Sequence, residues 1–267
     1  MKQTILVTGA SSGIGRLVAS QLHKEGHSVI GTSRYPEKYR SELPYPLLEL
    51  DLSSDSSIGS FGKRLFQQIG HLDVLINNAG FLVKGLAEET SVTLGKEQFE
   101  TNFWGTVKVT NEILPYLRAK RKGKIITIGS FLGRISLPSV AYYSASKHSL
   151  EGYFKSLRFE LNEFNIHVSM VEPMSFKTNI GESSISSEGN IPDYDSVRKK
   201  VAGFSKAEFA NSPSPEPVIQ TVLKLVNKKN PGFHYPVGKG ARLILFLQHF
   251  AYRLFETSIL KKMNQKN

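Results

Sequence analysis

Short apolar runs and longer amphipathic stretches alternate along the first two thirds of the chain. The runs Thr4–Thr8, Ser28–Thr32, Leu47–Leu50, Val74–Asn77, Lys124–Ile128 and His167–Val171 are rich in β-branched residues and read as strands. Between them, Arg16–Glu25, Ser57–Gln68, Glu97–Arg118 and Ala141–Asn162 carry helical patterns. This alternation predicts an α/β chain built on a parallel sheet with helices on both faces. Glu97–Arg118 is long for one helix, and Pro115, which has no N–H to donate, belongs near its end.

The pattern changes after Asn179. Residues 181–190 are rich in Ser and Gly, and Asn211–Pro217 holds three prolines, so about 179–217 reads as a binding loop or lid. Ile180, Ile185, Ile191 and Tyr194 give that lid a partly apolar inner side. An amphipathic helix is expected at about 241–260. Its apolar run Leu243–Phe255 is interrupted by Gln248, His249 and Arg253, and no run reaches the ~18 residues that a bilayer span needs. No repeat or linker divides residues 1–267, which read as one domain. The first strand follows Met-Lys-Gln directly, with no secretory apolar segment, which fits a cytoplasmic protein.

Three local patterns carry chemistry. Thr8-Gly9-Ala10-Ser11-Ser12-Gly13-Ile14-Gly15 lies between the first strand and the first helix, with spacing G-x-x-x-G-x-G. Gly9 permits a tight turn, Gly13 lets backbone approach a pyrophosphate, and Gly15 lets helix and sheet pack closely. The helix N-terminus adds N–H donors and partial positive charge. At the end of the second strand, where an NAD-selective site carries Asp or Glu for the ribose hydroxyls, stand Ser33 and Arg34. A guanidinium fork suits a 2′-phosphate, so NADP(H) is expected in preference to NAD(H), with Arg16 adding to the positive field. Tyr143 and Lys147 are four apart in a helix and share a face. An ammonium near the phenol is expected to draw its pKa down and make it a proton donor or acceptor. Tyr142 is the weaker candidate, since its i+4 partner is Ser146. Ser130, just past the strand ending at Ile128, stands where such sheets present their ligands, able to hold a substrate oxygen.

Together, Thr8–Gly15, Asn77-Asn78-Ala79-Gly80, Ser130 and Tyr143-Ser144-Ala145-Ser146-Lys147 resemble the short-chain dehydrogenase/reductase family in its single-domain form. Ser130 precedes Tyr143 by thirteen positions, as that pattern requires. The resemblance runs from about residue 3 to 180, and more loosely beyond. It implies a doubly wound Rossmann sheet of seven strands, in three α/β/α layers, binding a nicotinamide dinucleotide. Asn102, Ser130, Tyr143 and Lys147 are then the implied catalytic set. Asn102 supports a water-linked proton relay to Lys147, and Lys147 also holds the nicotinamide ribose. Gly9, Ser11, Ser12, Gly13, Ile14 and Gly15 are implied to hold the cofactor's phosphates. Ser33 and Arg34 lie at its adenosine ribose, Asp51 and Leu52 near the adenine, and Asn78, Ala79 and Gly80 wall the site. Pro173 and Thr178 flank the nicotinamide side. The family's Pro-Gly after the sixth strand is Pro173-Met174 here, so a methionine crowds the nicotinamide or lines the substrate pocket. Tyr235–Leu260 is similar to the C-terminal part of members resembling 17β-hydroxysteroid and retinol dehydrogenases.

Composition and charge bound the partners. With 267 residues, 40% hydrophobic and 21% charged, the chain is an ordinary globular one, which excludes disorder and collagen-like repeats. The absence of cysteine excludes disulfides, thiolate metal sites and cysteine nucleophiles. A net charge of +11 leaves phosphorylated ligands, acidic carriers and anionic membranes open. The basic run Arg118–Lys124 reads as a helix C-terminus offsetting its dipole, or as a dock for an acidic acyl carrier protein. Nucleic acid is not expected, since no aromatics interleave the charges. The seven histidines lack ligand spacing, so no metal is expected, and His148 and His249 read as structural.

The resulting expectation is an NADP(H)-dependent reductase of an apolar ketone, aldehyde, steroid, retinoid or lipid-like substrate, or the reverse alcohol dehydrogenase. A 3-oxoacyl-[acyl-carrier-protein] reductase is the alternative enzyme, and a non-catalytic cofactor-binding regulatory protein the alternative of another class. By family analogy a homo-oligomer, dimer or tetramer, pairs through the helices holding 97–118 and 141–162. The C-terminal helix packs on its domain, on a partner subunit or peripherally on a membrane.

Overall fold

The computed structural model describes residues 2–177, 184–187, 189–210 and 212–264. Its strands are β1 (Thr4–Val7), β2 (Ser28–Ser33), β3 (Leu47–Glu49), β4 (Val74–Asn77), β5 (Val83–Lys84), β6 (Gly123–Ile128), β7 (Ile166–Pro173), β8 (Ile185–Ser186) and β9 (His234–Val237). Seven of them form a parallel sheet in the order β3-β2-β1-β4-β6-β7-β9, while β5 pairs with β8. The helices are α1 (Gly13–Lys24), α2 (Asp55–Gly59), α3 (Phe61–Gln68), α4 (Val92–Phe99), α5 (Thr106–Lys120), α6 (Ala141–Glu160), α7 (Asp195–Ala210), α8 (Glu216–Asn227), α9 (Ala241–Phe250) and α10 (Tyr252–Asn264). The expected doubly wound parallel sheet is therefore present.

The central strands are apolar at consecutive positions because both faces of the sheet are covered. Ile5, Val7, Val74, Ile76, Ile126 and Val171 point to the layer that contains Val18, Leu22, Val218 and Val222 of α1 and α8. The intervening Leu6, Leu75, Ile125, Val168 and Met170 point the other way, onto Leu65, Ile113, Leu117, Leu150 and Phe154 of α3, α5 and α6. Each fully buried side chain of this kind contributes on the order of 1.5–3 kcal/mol relative to exposure. A third, smaller cluster joins Phe131 and Ile135 to Ala241 and Phe255. Its place at the sheet's carboxyl edge matters for the site.

Several expected boundaries shift. The helix expected over Glu97–Arg118 is two helices joined by a π-helical turn over Glu100–Gly105, and Pro115 lies inside α5. Ser57–Gln68 divides into α2 and α3 at Ser60. The helix expected at about 241–260 breaks at Ala251 into α9 and α10. The expected lid holds a sixteen-residue helix, α7, and β8 seats part of it on β5. Three of the cations in Arg118–Lys124 are engaged locally. Lys120 donates to the Leu72 carbonyl and pairs with Asp73, Arg121 donates to the Glu163 carbonyl at 2.8 Å, and Lys124 donates to the Val226 carbonyl.

Candidate active site

From β1 the strand order runs outward to β2 and β3 on one side and to β4 on the other, and at this reversal an open α/β sheet forms its ligand crevice. The glycine loop lies there, pinned from both neighbours. The Gly9 and Ala10 N–H groups donate to the Thr32 hydroxyl at 3.2 Å and the Thr32 carbonyl at 2.9 Å. The Asn78 amide donates to the Thr8 and Gly9 carbonyls at 3.0 and 3.2 Å, and the Thr8 hydroxyl accepts from the Asn78 and Ala79 N–H groups. A Cβ on Gly15 would lie 2.3 Å from the Asn78 amide nitrogen, so the first helix and β4 pack too closely there for a side chain. Gly13, at φ +56°, faces open space instead. Ser12, at the N-cap of α1, makes no side-chain cap bond, and the first turn carries no acidic residue. Free N–H donors, helix polarity and an open glycine fit a pyrophosphate. Ser11 and Ile14 belong to this same loop and helix start.

Arg34 follows the last residue of β2 and is exposed, its guanidinium 5.9 Å from the centre of the Tyr35 ring. Among the described residues no carboxylate pairs with it. Glu37, the nearest carboxylate in sequence, is held by Arg40 at 2.8 Å. Arg16 pairs with Glu42 at 3.3 Å, which offsets the positive field it was expected to add. Ser33 is buried, its hydroxyl accepting from the Tyr35 N–H. Asp51 accepts from Ser53, and Leu52 is buried beneath it.

At the opposite end of the crevice, Ser130, Tyr143, Lys147 and Asn102 are all buried. Tyr143 and Lys147 lie one turn apart on α6, with the ammonium 5.7 Å from the centre of the phenol ring. The Ser130 hydroxyl accepts the Leu132 N–H at 3.1 Å. Lys147 donates to the Ile128 carbonyl at 3.2 Å. Asn102 projects from the π-helical turn, and such turns recur at functional sites. Its amide is fixed by Phe81, accepting the N–H and donating to the carbonyl at 2.9 Å, and it also donates to Ser146. A Cβ on Gly80 would lie 2.9 Å from the Asn102 oxygen and 3.9 Å from the Lys147 nitrogen, which places the three together. Tyr142 instead packs over Gly95 of α4.

The expected lowering of the phenol pKa by Lys147 is corrected. Burial pushes Tyr143 above its ordinary 10.0, and only the neighbouring Ser130 hydroxyl acts downward. Burial likewise brings Lys147 down to about 8, so the ammonium is itself weakened by the enclosure that holds it. Pro173 ends β7, and Met174 continues the pairing by donating its N–H to Val237 at 2.9 Å. Met174 packs against Gly238 and the third apolar cluster. Thr178 and Ile180 lie outside the described residues.

One cluster could not be read from sequence spacing. Glu172, fully buried near the end of β7, bonds Arg134 Nη1 at 3.2 Å and His234 Nδ1 at 2.5 Å. Glu151, two turns beyond Tyr143 on α6, lies 3.5 Å from the same His234 nitrogen. Arg134, Glu151 and His234, with His148 and Lys155, line a cavity of about 260 Å³. The donor set resembles a cation site, but the Arg134 guanidinium already stands beside Glu172 and His234. Burial, and then the charge of Glu172, raise Glu151 from its ordinary 4.5 to about 8. Between those values the folded state holds the extra proton, so this group lowers stability as pH rises. Glu151→Gln is therefore expected to gain Tm relative to wild type as pH rises from 4.5 to 8. A Tm difference that is constant with pH would contradict this.

Comparison with known proteins agrees with the geometry. The family described as short chain dehydrogenase matches residues 3–189. "Uncharacterized oxidoreductase YusZ" of Bacillus subtilis (strain 168) is 36% identical over 278 aligned residues, covering 98% of this chain and 99% of the relative. A 3-ketodihydrosphingosine reductase of Bacteroides thetaiotaomicron is 38% identical over 242 aligned residues, covering 88% of each. Among solved structures, a short-chain dehydrogenase from Streptomyces avermitilis superposes with a TM-score of 0.85 at 29% identity, over 97% of this chain and 96% of that one. The chain belongs to the short-chain dehydrogenase family and is an oxidoreductase of that type.

Proposed function

We propose that this chain is an NADP(H)-dependent carbonyl reductase acting on an apolar ketone or aldehyde, or on the corresponding secondary alcohol in reverse. The observation that carries the reading is the burial of Ser130, Tyr143 and Lys147 together, with the Lys147 ammonium 5.7 Å from the centre of the Tyr143 ring. When bound, the nicotinamide supplies or accepts the hydride. Tyr143 transfers the proton to or from the substrate oxygen, and Ser130 holds that oxygen beside it. Lys147 orients the nicotinamide ribose and supplies protons to the phenol, with Asn102 fixing the relay end. Gly9, Ser11, Ser12, Gly13, Ile14 and Gly15 receive the pyrophosphate. Asp51, Leu52, Asn78, Ala79, Gly80, Pro173 and Thr178 complete the cofactor's walls.

Arg34, which no carboxylate pairs with among the described residues, supports a 2′-phosphate and hence NADPH. The substrate class rests on the apolar roof beside Ser130, where Phe131, Leu132, Ile135 and Met174 meet Ile244, Leu245 and Phe255. A relative named for reducing 3-ketodihydrosphingosine points the same way. The acyl-carrier alternative is weaker, because Lys120, Arg121 and Lys124 are already engaged within the chain. The regulatory alternative leaves the complete buried catalytic group unexplained. We read residues 1–267 as one cytoplasmic domain. Exposed Trp104, Tyr116 and Phe159, near or on α5 and α6, support pairing with a second copy.

The test is NADPH consumption, followed by absorbance, across ketones and aldehydes of increasing chain length, in parallel with NADH and with 3-oxoacyl carrier proteins. Turnover of long apolar carbonyls with NADPH, at least about tenfold above NADH, supports the reading. Turnover confined to carrier-linked substrates supports the alternative enzyme. NADPH binding without turnover of any carbonyl supports the regulatory protein.

A further inference from the structure

We propose that α9 docks this protein on an anionic membrane surface. Its outer side carries Leu243, Phe246 and Phe250 at positions i, i+3 and i+7, one stripe of the helix. These side chains are 62%, 56% and 71% exposed, and the two phenyl rings lie 4.9 Å apart. Tyr252 and Leu254, also exposed, follow the break at Ala251. The other side of the helix is seated on the protein, with Ala241 buried and Ile244 and Leu245 packed on the cluster of Phe131 and Ile135. A helix that is apolar on both sides belongs between two apolar phases, and here the protein supplies one of them.

Charge selects the second phase. Residues 239–264 carry Lys239, Arg242, Arg253, Lys261 and Lys262 against a single acidic residue, Glu256. Lys239, Arg242 and Arg253 are exposed, and no carboxylate pairs with them among the described residues. A second copy of this face would bring like charges together around its stripe. An anionic lipid surface instead receives the apolar side chains between the acyl chains and the cations at the headgroups. Ten residues of helix span about 15 Å, so α9 lies in the interface, and no described helix is long and apolar enough to cross it. Docked this way, the lipid lies one helix away from the roof over Ser130, which gives an apolar substrate a short path from the bilayer. This last clause rests on the proposed reductase activity; the docking does not.

The test is co-sedimentation of the full chain with vesicles of phosphatidylcholine alone or mixed with phosphatidylglycerol, with no substrate present. Wild type is expected to bind the anionic vesicles at least tenfold more strongly, and less so in high salt. The exposed-site double variant Phe246→Ser/Phe250→Ser is expected to lose at least tenfold in binding, with unchanged Tm and NADPH affinity. Lys239→Gln/Arg242→Gln/Arg253→Gln is expected to remove the preference for anionic lipid. Absence of wild-type binding, or binding unaltered in the Phe variant, overturns the proposal. So does a Phe variant that converts a dimer to a monomer, because the stripe is then an interface between copies. Vesicle binding without carbonyl turnover leaves the docking standing and removes only the substrate path.

Discussion

Tyr143→Phe is expected to lower kcat/KM for carbonyl reduction by about 10²–10⁴-fold, the range in which a positioned proton donor contributes to rate. The substitution keeps the ring, which is 7% exposed in α6, and removes only the hydroxyl. Folding and NADPH affinity should therefore hold. Tm and a fluorescence titration measure both, so a loss of rate with both unchanged is assigned to proton transfer. Tyr142→Phe is the control, because that side chain packs over Gly95, outside the catalytic group, and it should retain activity. Retention of most activity by Tyr143→Phe would remove the phenol from the mechanism, and with it the reductase reading.

Arg34→Ala is expected to weaken NADPH binding by about 10–100-fold while leaving NADH binding nearly unchanged. A hydrogen bond to a charged group is worth roughly 1.5–3 kcal/mol, and a guanidinium fork can make two to a 2′-phosphate. The geometry leaves the fork available, since Arg34 is exposed and Glu37 is occupied by Arg40. NADH offers a ribose hydroxyl at the same place and gains little from the cation. Parallel titrations of both cofactors on both proteins decide the matter. Equal losses for NADPH and NADH would mean that Arg34 supports the fold of the loop, and tighter NADH binding by wild type would reverse the cofactor assignment.

Much of the fold was legible because its cause is local. Consecutive apolar residues at Ile5-Leu6-Val7 or Val74-Leu75-Ile76 call for cover on both faces, and the helices between such runs supply it. The glycine loop and the Tyr143–Lys147 pair were equally plain, since a turn and an i, i+4 spacing are properties of neighbouring residues. The helix boundaries were less so. The division at Glu100–Gly105 depends on a wider turn that carries Asn102 inward against Phe81, a residue 21 positions away. The break at Ala251 likewise reflects α9 and α10 folding back over the roof.

The linear chain therefore determined the strand–helix alternation, the glycine turn before α1, the cation after β2 and the i, i+4 pairing of Tyr143 with Lys147. Tertiary structure alone decided what surrounds them. It enclosed Tyr143 and Lys147 deeply enough that burial raises the phenol's pKa and lowers the ammonium's. It also assembled Arg134, Glu151, Glu172 and His234 from four separate segments. The physical reason is that charge and desolvation act through space, and spatial neighbours across a parallel sheet are set by strand order, which residue spacing does not encode.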